Sequence, residues 1–184
     1  MRHCIFLLGL FLVACSTPGG RNPMAVYDLG DTLESSATVG LGRIEVATPA
    51  WLATSAMQYR LPGQPGRRYV FAESRWAAAP GELLETALRH ALGVGNGHCR
   101  LLLELDDWIQ DFSTGDQSQA RLALRARLVD ARGALLAWRA FTYAPPAGQD
   151  ARSGAVAYGQ LEKTLATDLR AWITTEAPPD RCRG

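Results

Sequence analysis

The chain has 184 residues, enough for one domain with a substantial core. Hydrophobic residues make up 47% of it and charged residues 20%, which is an ordinary globular composition. The formal net charge is +1, which excludes the strongly basic balance typical of a nucleic-acid-binding domain. We therefore expect no nucleic acid among its partners.

The first fifteen residues predict a bacterial lipoprotein signal. Arg2 and His3 precede an apolar run from Ile5 to Val13, and Leu12-Val13-Ala14-Cys15 has the form of a lipobox. The run is much shorter than the roughly 20 apolar residues that a membrane-spanning helix needs. We predict residues 1–14 as a signal peptide and Cys15 as the lipidation site. The alternative is an ordinary secretory signal in which the cysteine is incidental.

The residues after the lipobox predict a membrane-anchored tether. Ser16 takes the place where, in Gram-negative lipoproteins, an aspartate resembles an inner-membrane retention signal, so the serine favours the outer membrane. Residues 15–26 are rich in glycine, proline, serine and threonine and predict a flexible tether. We expect the folded domain over residues 27–177 and a C-terminal tail over residues 178–184.

Two of the four cysteines have no role in the predicted signal, because Cys4 is removed with the signal peptide and Cys15 is the lipidation site. Cys99 and Cys182 form an even pair in an oxidising compartment, so we favour a disulfide between them. The alternative is a pair of unpaired thiols. No second cysteine or cluster of histidines lies near either one in the sequence, so we expect no metal and no other cofactor.

The N-terminal half of the domain predicts a strand, a hairpin and a helix. Residues 39–47 alternate as a strand, with a change of phase that places a bulge at Gly42. Residues 57–61 and 68–72 flank a Pro-Gly-rich turn and predict a hairpin. Residues 80–92 predict the first helix, with Pro80 at its first position and Gly93 or Gly95 ending it.

The C-terminal half predicts three long strands and a second helix. The first strand runs from Leu101 to Phe112 and changes phase at Asp106-Asp107, which indicates a bulge. Residues 120–128 alternate cleanly between apolar and basic. Residues 135–141 are apolar on both faces, as in a central strand or a strand beside a partner. Residues 153–173 carry a helical apolar stripe.

This order of elements predicts the fold class. Strands, a helix, antiparallel strands and a second helix follow one another with no internal repeat. We expect a single α+β domain, a mostly antiparallel sheet with two helices packed on one face.

The residues needed for familiar enzyme chemistry are missing from the sequence. Only His90 and His98 lie beyond the signal, and no Gly-x-Ser-x-Gly motif accompanies them, which counts against a periplasmic hydrolase. The glycine-rich residues 93–97 follow a helix and favour a connector over a phosphate-binding loop. The aspartates around Asp106 lack the spacing of a calcium loop and favour a solvated strand end. We expect no enzymatic activity.

Basic and aromatic side chains are the remaining candidates for function. Arg121, Arg125 and Arg127 form a stripe along one strand. A solvent-facing sheet surface is the favoured interpretation, and a docking face for an acidic partner or lipid headgroups is the alternative. Trp51, Trp76 and Tyr59 cluster near turn-rich segments; they are expected mostly in the core, with a protein interface as the alternative.

Several segments, taken in order, resemble one family. They are Tyr27-Asp28-Leu29-Gly30, Ile44-Glu45-Val46 leading to Pro49-Ala50-Trp51-Leu52, Met57-Gln58-Tyr59-Arg60-Leu61, Ser74-Arg75-Trp76-Ala77 with Pro80, and the strand from Leu101 to Phe112. With a lipobox in front, this series resembles the ABC-type transport auxiliary lipoproteins, including PqiC-like proteins. The resemblance covers nearly the whole mature chain.

The resemblance implies a non-enzymatic component of the cell envelope. Such proteins work with MCE-domain (mammalian-cell-entry) proteins and an inner-membrane ABC transporter or permease that move phospholipid across the periplasm. The resemblance implies outer-membrane anchoring and makes homo-oligomeric assembly an expectation. Tyr59, Arg60, Arg75 and Trp76 match its recurrent segments and are interface candidates, although packing of the hairpin is the favoured role.

A second class of function is also open. The chain is alternatively a structural or assembly lipoprotein that partners an outer-membrane barrel or the lipopolysaccharide export machinery. The two hypotheses predict different membrane partners for one anchored protein.

Overall fold

The structure is a computed structural model that describes residues 23–31, residues 39–176 and Cys182. The predicted signal peptide, the lipidation site Cys15 and most of the predicted tail lie outside the described residues. The described part is a single α+β domain, as the sequence predicted, with one mixed sheet and two helices.

Eight strands and two helices make up the domain. The strands are β1 (Ala25–Tyr27), β2 (Leu41–Ala47), β3 (Ala56–Arg60), β4 (Tyr69–Trp76), β5 (Cys99–Phe112), β6 (Ser118–Val129), β7 (Leu135–Tyr143) and β8 (Pro146–Ala147). The helices are α1 (Pro80–Ala91) and α2 (Ala151–Glu176). The predicted hairpin, both helices and the three long strands are all present.

The strands form one sheet in the order β1-β4-β3-β5-β6-β7. The long strand β5 has β6 on one side, while β2 and β3 follow one another along its other side; β8 adds to the end of β6. Most of the pairing is antiparallel, as predicted, but β1 with β4, β2 with β5 and β3 with β5 are parallel.

Bulges occur at both places where the sequence changes phase. The register of β2 against β5 shifts between Leu41 and Arg43, which leaves Gly42 as the extra residue. The register of β5 against β6 shifts between Leu105 and Asp107, which leaves Asp106 as the extra residue. Each bulge adds one residue to its strand, so apolar side chains on both sides of it keep to the same face.

The core lies between the sheet and the two helices. Alternate residues of β6 are buried, from Ala120 to Leu128, and those of β5 are buried on both sides of its bulge. The buried stripe of α2 includes Tyr158, whose ring stacks on Trp108 at 4.2 Å between centroids. Trp76 meets both rings edge-on.

Local interactions at the helix ends explain where the helices start and stop. Pro80 occupies the first turn of α1, where its missing N–H costs no hydrogen bond, and Gly93 after the helix has φ +62°. Before α2, the Oδ1 atom of Asp150 accepts a hydrogen bond from the backbone N–H of Ser153 at 2.8 Å. Hydrogen bonds from the backbone and the side chain of Ser153 lower the pKa of Asp150, since they favour its ionised form.

Two short strands lie outside the segments that the sequence predicted as strands. Strand β1 starts at Ala25, near the predicted start of the domain at Tyr27. The short strand β8 follows β7 and pairs with Ser118 and Gln119 of β6. The two-sided apolar pattern of β7 left a central strand and a strand beside a partner open, and β7 is the last strand of the sheet path.

The glycine-rich residues 93–97 connect α1 to β5, as predicted. A side chain at Gly97 would collide with the backbone of Gly40, so glycine is required where the chain approaches β2. The disulfide between Cys99 and Cys182 is formed beside this junction, with 4.8 Å between the Cα atoms, and the carbonyl of Cys182 accepts the N–H of His98 at 3.1 Å. Cys182 is thereby fixed to the start of β5.

Candidate interaction surface

The sheet face turned away from the helices, here called the open face, carries most of the candidate residues. It holds the arginine stripe of β6 together with the acidic side chains of β5, Glu104, Asp106 and Asp107. Neighbouring strands in register present paired side chains on the same face, so the acidic side chains of β5 lie beside the basic side chains of β6.

Each arginine of the stripe has an acidic partner on the adjacent strand. Arg125 contacts Asp106 at 2.7 Å and Glu104 at 3.0 Å, and Arg127 contacts Glu104 at 2.8 Å. The hydrogen bond to Asp106 raises the pKa of Arg125. The acidic groups that the stripe contacts are therefore supplied by the chain itself, in agreement with the favoured interpretation of a solvent-facing sheet surface.

Asp107 is the centre of the second half of this network. Its carboxylate contacts Arg68 at 2.9 Å, Arg121 at 3.6 Å and Arg60 at 3.9 Å. Arg60 also bonds Asp111 at 3.1 Å. The side chain of Asp107 is only 16% exposed, so these attractions are less screened by solvent than the outer pairs of the stripe.

The other family-matched candidates have different surroundings. Tyr59 is half-buried in an aromatic cluster, 4.6 Å from Phe71 and 5.3 Å from Tyr69 between ring centroids. Trp76 is 2% exposed and belongs to the core, so it offers no surface to a partner. Arg75 is exposed on β4. Tyr59, Arg60 and Trp76 thus contribute to packing of the β3–β4 hairpin, and Arg75 is the most accessible of the four.

Two large apolar side chains on β7 extend the open face to the end of the sheet. Trp138 lies opposite Arg127 and is 67% exposed, and Leu135 lies opposite Val129 and is 57% exposed. Neither was singled out from the sequence as an exposed residue. The two-sided apolar pattern of β7 was the signal, but only the strand order shows that no further strand covers it among the described residues.

A groove on the helix side of β7 combines both signs of charge. It has a volume of about 350 Å³ and is lined by Arg139, Asp168, Ala171, Trp172, Thr175 and Glu176. Next to it, the Tyr143 hydroxyl donates a 2.6 Å hydrogen bond to Asp168. Burial, together with this bond to a carboxylate, raises the pKa of Tyr143 well above its usual value.

Glu162 is a buried carboxyl that the sequence did not single out. It is 1% exposed on the core side of α2, and neither carboxylate oxygen has a hydrogen-bond partner among the residues the structure describes. Burial raises its pKa, opposed only by the nearby positive charge of Lys163. The helical spacing of Tyr158, Leu161 and Leu165 placed the stripe but did not reveal that Glu162 lies within it.

Two features that often indicate function are absent from the described residues. No group of three or more histidine, cysteine, aspartate or glutamate side chains within residues 23–31 and 39–176, or with Cys182, is arranged to hold a metal ion. The aspartates of β5 bind arginines instead. In the same part of the chain, neither helix has the length and apolarity needed to cross a membrane.

Comparison with known proteins shows the fold. No protein-family model matches the chain, and no curated protein matches it significantly. The crystal structure of protein XCC0632 from Xanthomonas campestris, of the family DUF330, superimposes with a TM-score of 0.71, covering 85% of this chain and 98% of that one at 19% identity. This chain has the same fold.

Two further solved structures are similar to different degrees. The crystal structure of an uncharacterised protein gives a TM-score of 0.65 at 16% identity, covering 83% of this chain and 99% of that one. A minor lipoprotein from Acinetobacter baumannii gives 0.44 at 16% identity, covering 75% and 97%, which is too low to carry an argument. At these identities the comparisons establish the fold and leave the activity to be argued from the chain itself.

Proposed function

We propose that the chain is an outer-membrane-anchored periplasmic lipoprotein that serves as a non-catalytic accessory of an MCE-type ABC system for phospholipid transport. The observation that carries this proposal is the ordered series of family-like segments behind a lipobox. Its partners are then an MCE-domain protein and the inner-membrane ABC transporter or permease. Homo-oligomeric assembly is part of the same proposal.

The described domain supports a binding role better than a catalytic one. Its charged open face is neutralised by pairs within the chain, and its acidic residues bind arginines. The disulfide and the continuous core make the domain a rigid body suited to an anchored docking element. A rigid folded unit at the end of a tether holds a partner at a fixed membrane without contributing chemistry.

The interface candidates differ in how readily they meet a partner. Arg121, Arg125 and Arg127 would have to exchange their acidic partners on β5 for groups on another protein, at the cost of breaking existing pairs. Arg75 is exposed on β4, so it meets a partner more directly. We place it first among the residues to substitute.

The test is a mild-detergent pull-down of the intact lipoprotein, with membrane partners identified by mass spectrometry. A parallel bait carries Cys15→Ala and therefore lacks the lipid anchor. We expect the intact bait to recover an MCE-domain protein and the unanchored bait to recover less of it. Arg75→Glu is compared with Arg43→Glu on β2 as a charge-matched surface control, and only the former is expected to weaken recovery.

The same experiment separates the alternative function. A structural or assembly lipoprotein would recover an outer-membrane barrel or a component of lipopolysaccharide export. Recovery of only such a protein, or of no membrane protein by well-folded bait, would overturn the transport proposal.

A further inference from the structure

Strand β7 forms an unusually long open edge. It has nine residues, and in the described part of the chain it pairs with β6 alone. Its outer side therefore presents backbone N–H and C=O groups that no described strand satisfies, which is a template for adding another strand. At the opposite end of the sheet, β1 has only three residues, which limits pairing there.

The side chains of β7 do little to prevent such pairing. The strand contains no proline and a single charged residue, Arg139, while Leu135 and Trp138 are among its most exposed side chains. Natural edge strands are commonly protected by lysines, prolines, bulges or very short length. The only irregularity here is at the start of the strand, where Leu128 pairs with Ala137 and Val129 with Leu135.

The groove beside β7 favours a second copy of this chain as the occupant. It carries the positive charge of Arg139 on the strand and the negative charges of Asp168 and Glu176 on α2. A two-fold axis at the edge would bring the arginine of each copy towards the carboxylates of the other. A surface that bears both charges is complementary to itself under this symmetry.

We propose that two copies of this chain pair edge to edge through β7, antiparallel about a two-fold axis at Ala140. This extends the self-association that forms part of the proposed function, and it concerns contact between copies only. The paired strands would join the two sheets into one continuous sheet across the axis.

Charge argues against an axis nearer the start of the strand. Trp138, Ala140 and Thr142 point to the open face. For the open face to continue from one copy to the next, each of these residues must pair with one of the same three residues in the other copy. An axis at Arg139 would place two arginines directly opposite one another, which is destabilising. An axis at Trp138 would place Arg139 opposite the partner's Ala137, six residues from the partner's Tyr143, whereas the axis at Ala140 leaves it two residues away.

The axis at Ala140 brings large and small side chains together. Trp138 then faces the partner's Thr142, and Tyr143 faces the partner's Ala137. Arg139 faces the partner's Phe141, two residues from the partner's Tyr143, whose hydroxyl binds Asp168 in the isolated chain. Each arginine is thereby directed towards the acidic side of the opposite groove.

The test is thiol cross-linking of the full lipoprotein in its own membranes with a short bismaleimide. Cys15 is the predicted lipid site and Cys99 is bonded to Cys182, so an introduced cysteine provides the reactive thiol. Ala140→Cys places the two thiols at the axis, where facing Cα atoms are about 4.5–5.5 Å apart. Thr142→Cys, exposed on the same face of the same strand, places them about 13 Å apart along the strands.

We expect Ala140→Cys to give an adduct of twice the chain mass at no less than ten times the yield of Thr142→Cys. Equal yields from the two variants, or adducts with another protein, would overturn the proposal. Light scattering of the wild-type protein in mild detergent separates the remaining outcomes. An oligomer without cross-linking at position 140 refutes the β7 contact alone, while a monomer refutes self-association altogether, and neither bears on recovery of an MCE-domain protein.

Discussion

Replacing Glu162 should make the protein more stable. The side chain is 1% exposed, and both carboxylate oxygens lack hydrogen-bond partners in the described part of the chain. An unsatisfied buried polar group costs about 1–3 kcal/mol, and more when it is charged. Methionine has a similar length and a similar helix propensity, so Glu162→Met removes this cost without a large change in backbone preference. We expect the free energy of unfolding to rise by about 2 kcal/mol at pH 8.

The effect should depend on pH in a defined direction. Burial raises the pKa of Glu162 in the folded state above its unfolded value, which is near 4.3. Between the two values the folded protein binds more protons than the unfolded chain, so this group lowers the free energy of unfolding as pH rises. The gain from Glu162→Met should therefore be smallest below about pH 4.3 and reach its full size above the raised pKa.

The measurement is urea unfolding of the lipoprotein in non-ionic detergent, followed by tryptophan fluorescence from pH 4 to pH 8. Glu162→Gln keeps an unsatisfied polar amide and should gain only about 1 kcal/mol. Glu73→Gln, at an exposed position of β4, is the control and should stay within about 0.5 kcal/mol of wild type. Destabilisation by Glu162→Met at pH 8, or parallel pH profiles for wild type and variant, would refute the reasoning.

Three further substitutions test the ion network, the disulfide and the helix cap by the same unfolding measurement. Asp107→Ala should cost about 2 kcal/mol, because three arginines lose a partly buried partner, whereas the more exposed Asp106→Ala should cost less than about 1 kcal/mol; equal losses would contradict this ranking. Cys182→Ser should cost about 2–4 kcal/mol, and a reductant should then have no further effect; an unchanged unfolding midpoint would show that the bond is dispensable. Asp150→Ala should cost about 1 kcal/mol by removing the cap of α2. Because the pKa of Asp150 is lowered, this contribution should be present above about pH 3.9 and disappear as pH falls through the folded value; a loss unchanged at pH 2 would contradict it.

Local patterns in the sequence were enough to predict most of the elements. The alternation in residues 120–128 fixed which face of β6 is buried, and the phase changes located the bulges at Gly42 and Asp106. Pro80 and Gly93 marked the ends of α1. These features depend on backbone geometry and side-chain period within a few neighbouring residues, which the sequence contains directly.

The functional surfaces depended on residues that lie far apart in the chain. The arginine stripe was visible, but its acidic partners became clear only when β5 was placed in register beside β6. Asp107 contacts Arg60 of β3, Arg68 just before β4 and Arg121 of β6, and no local pattern predicts that convergence. The pairing of Cys99 with Cys182 could be predicted from the sequence, because the expected compartment is oxidising and only these two cysteines were available.

The sequence by itself therefore determined most of the elements, the fold class and the lipoprotein hypothesis. The tertiary structure alone decided that β7 lies at the end of the sheet and that Glu162 is buried with no hydrogen-bond partner among the described residues. Strand order and burial are set by which distant segments pack together, and the same local pattern is compatible with a central strand or an edge strand. That is the physical reason why the two-sided apolar pattern of β7 left both possibilities open until the sheet was assembled.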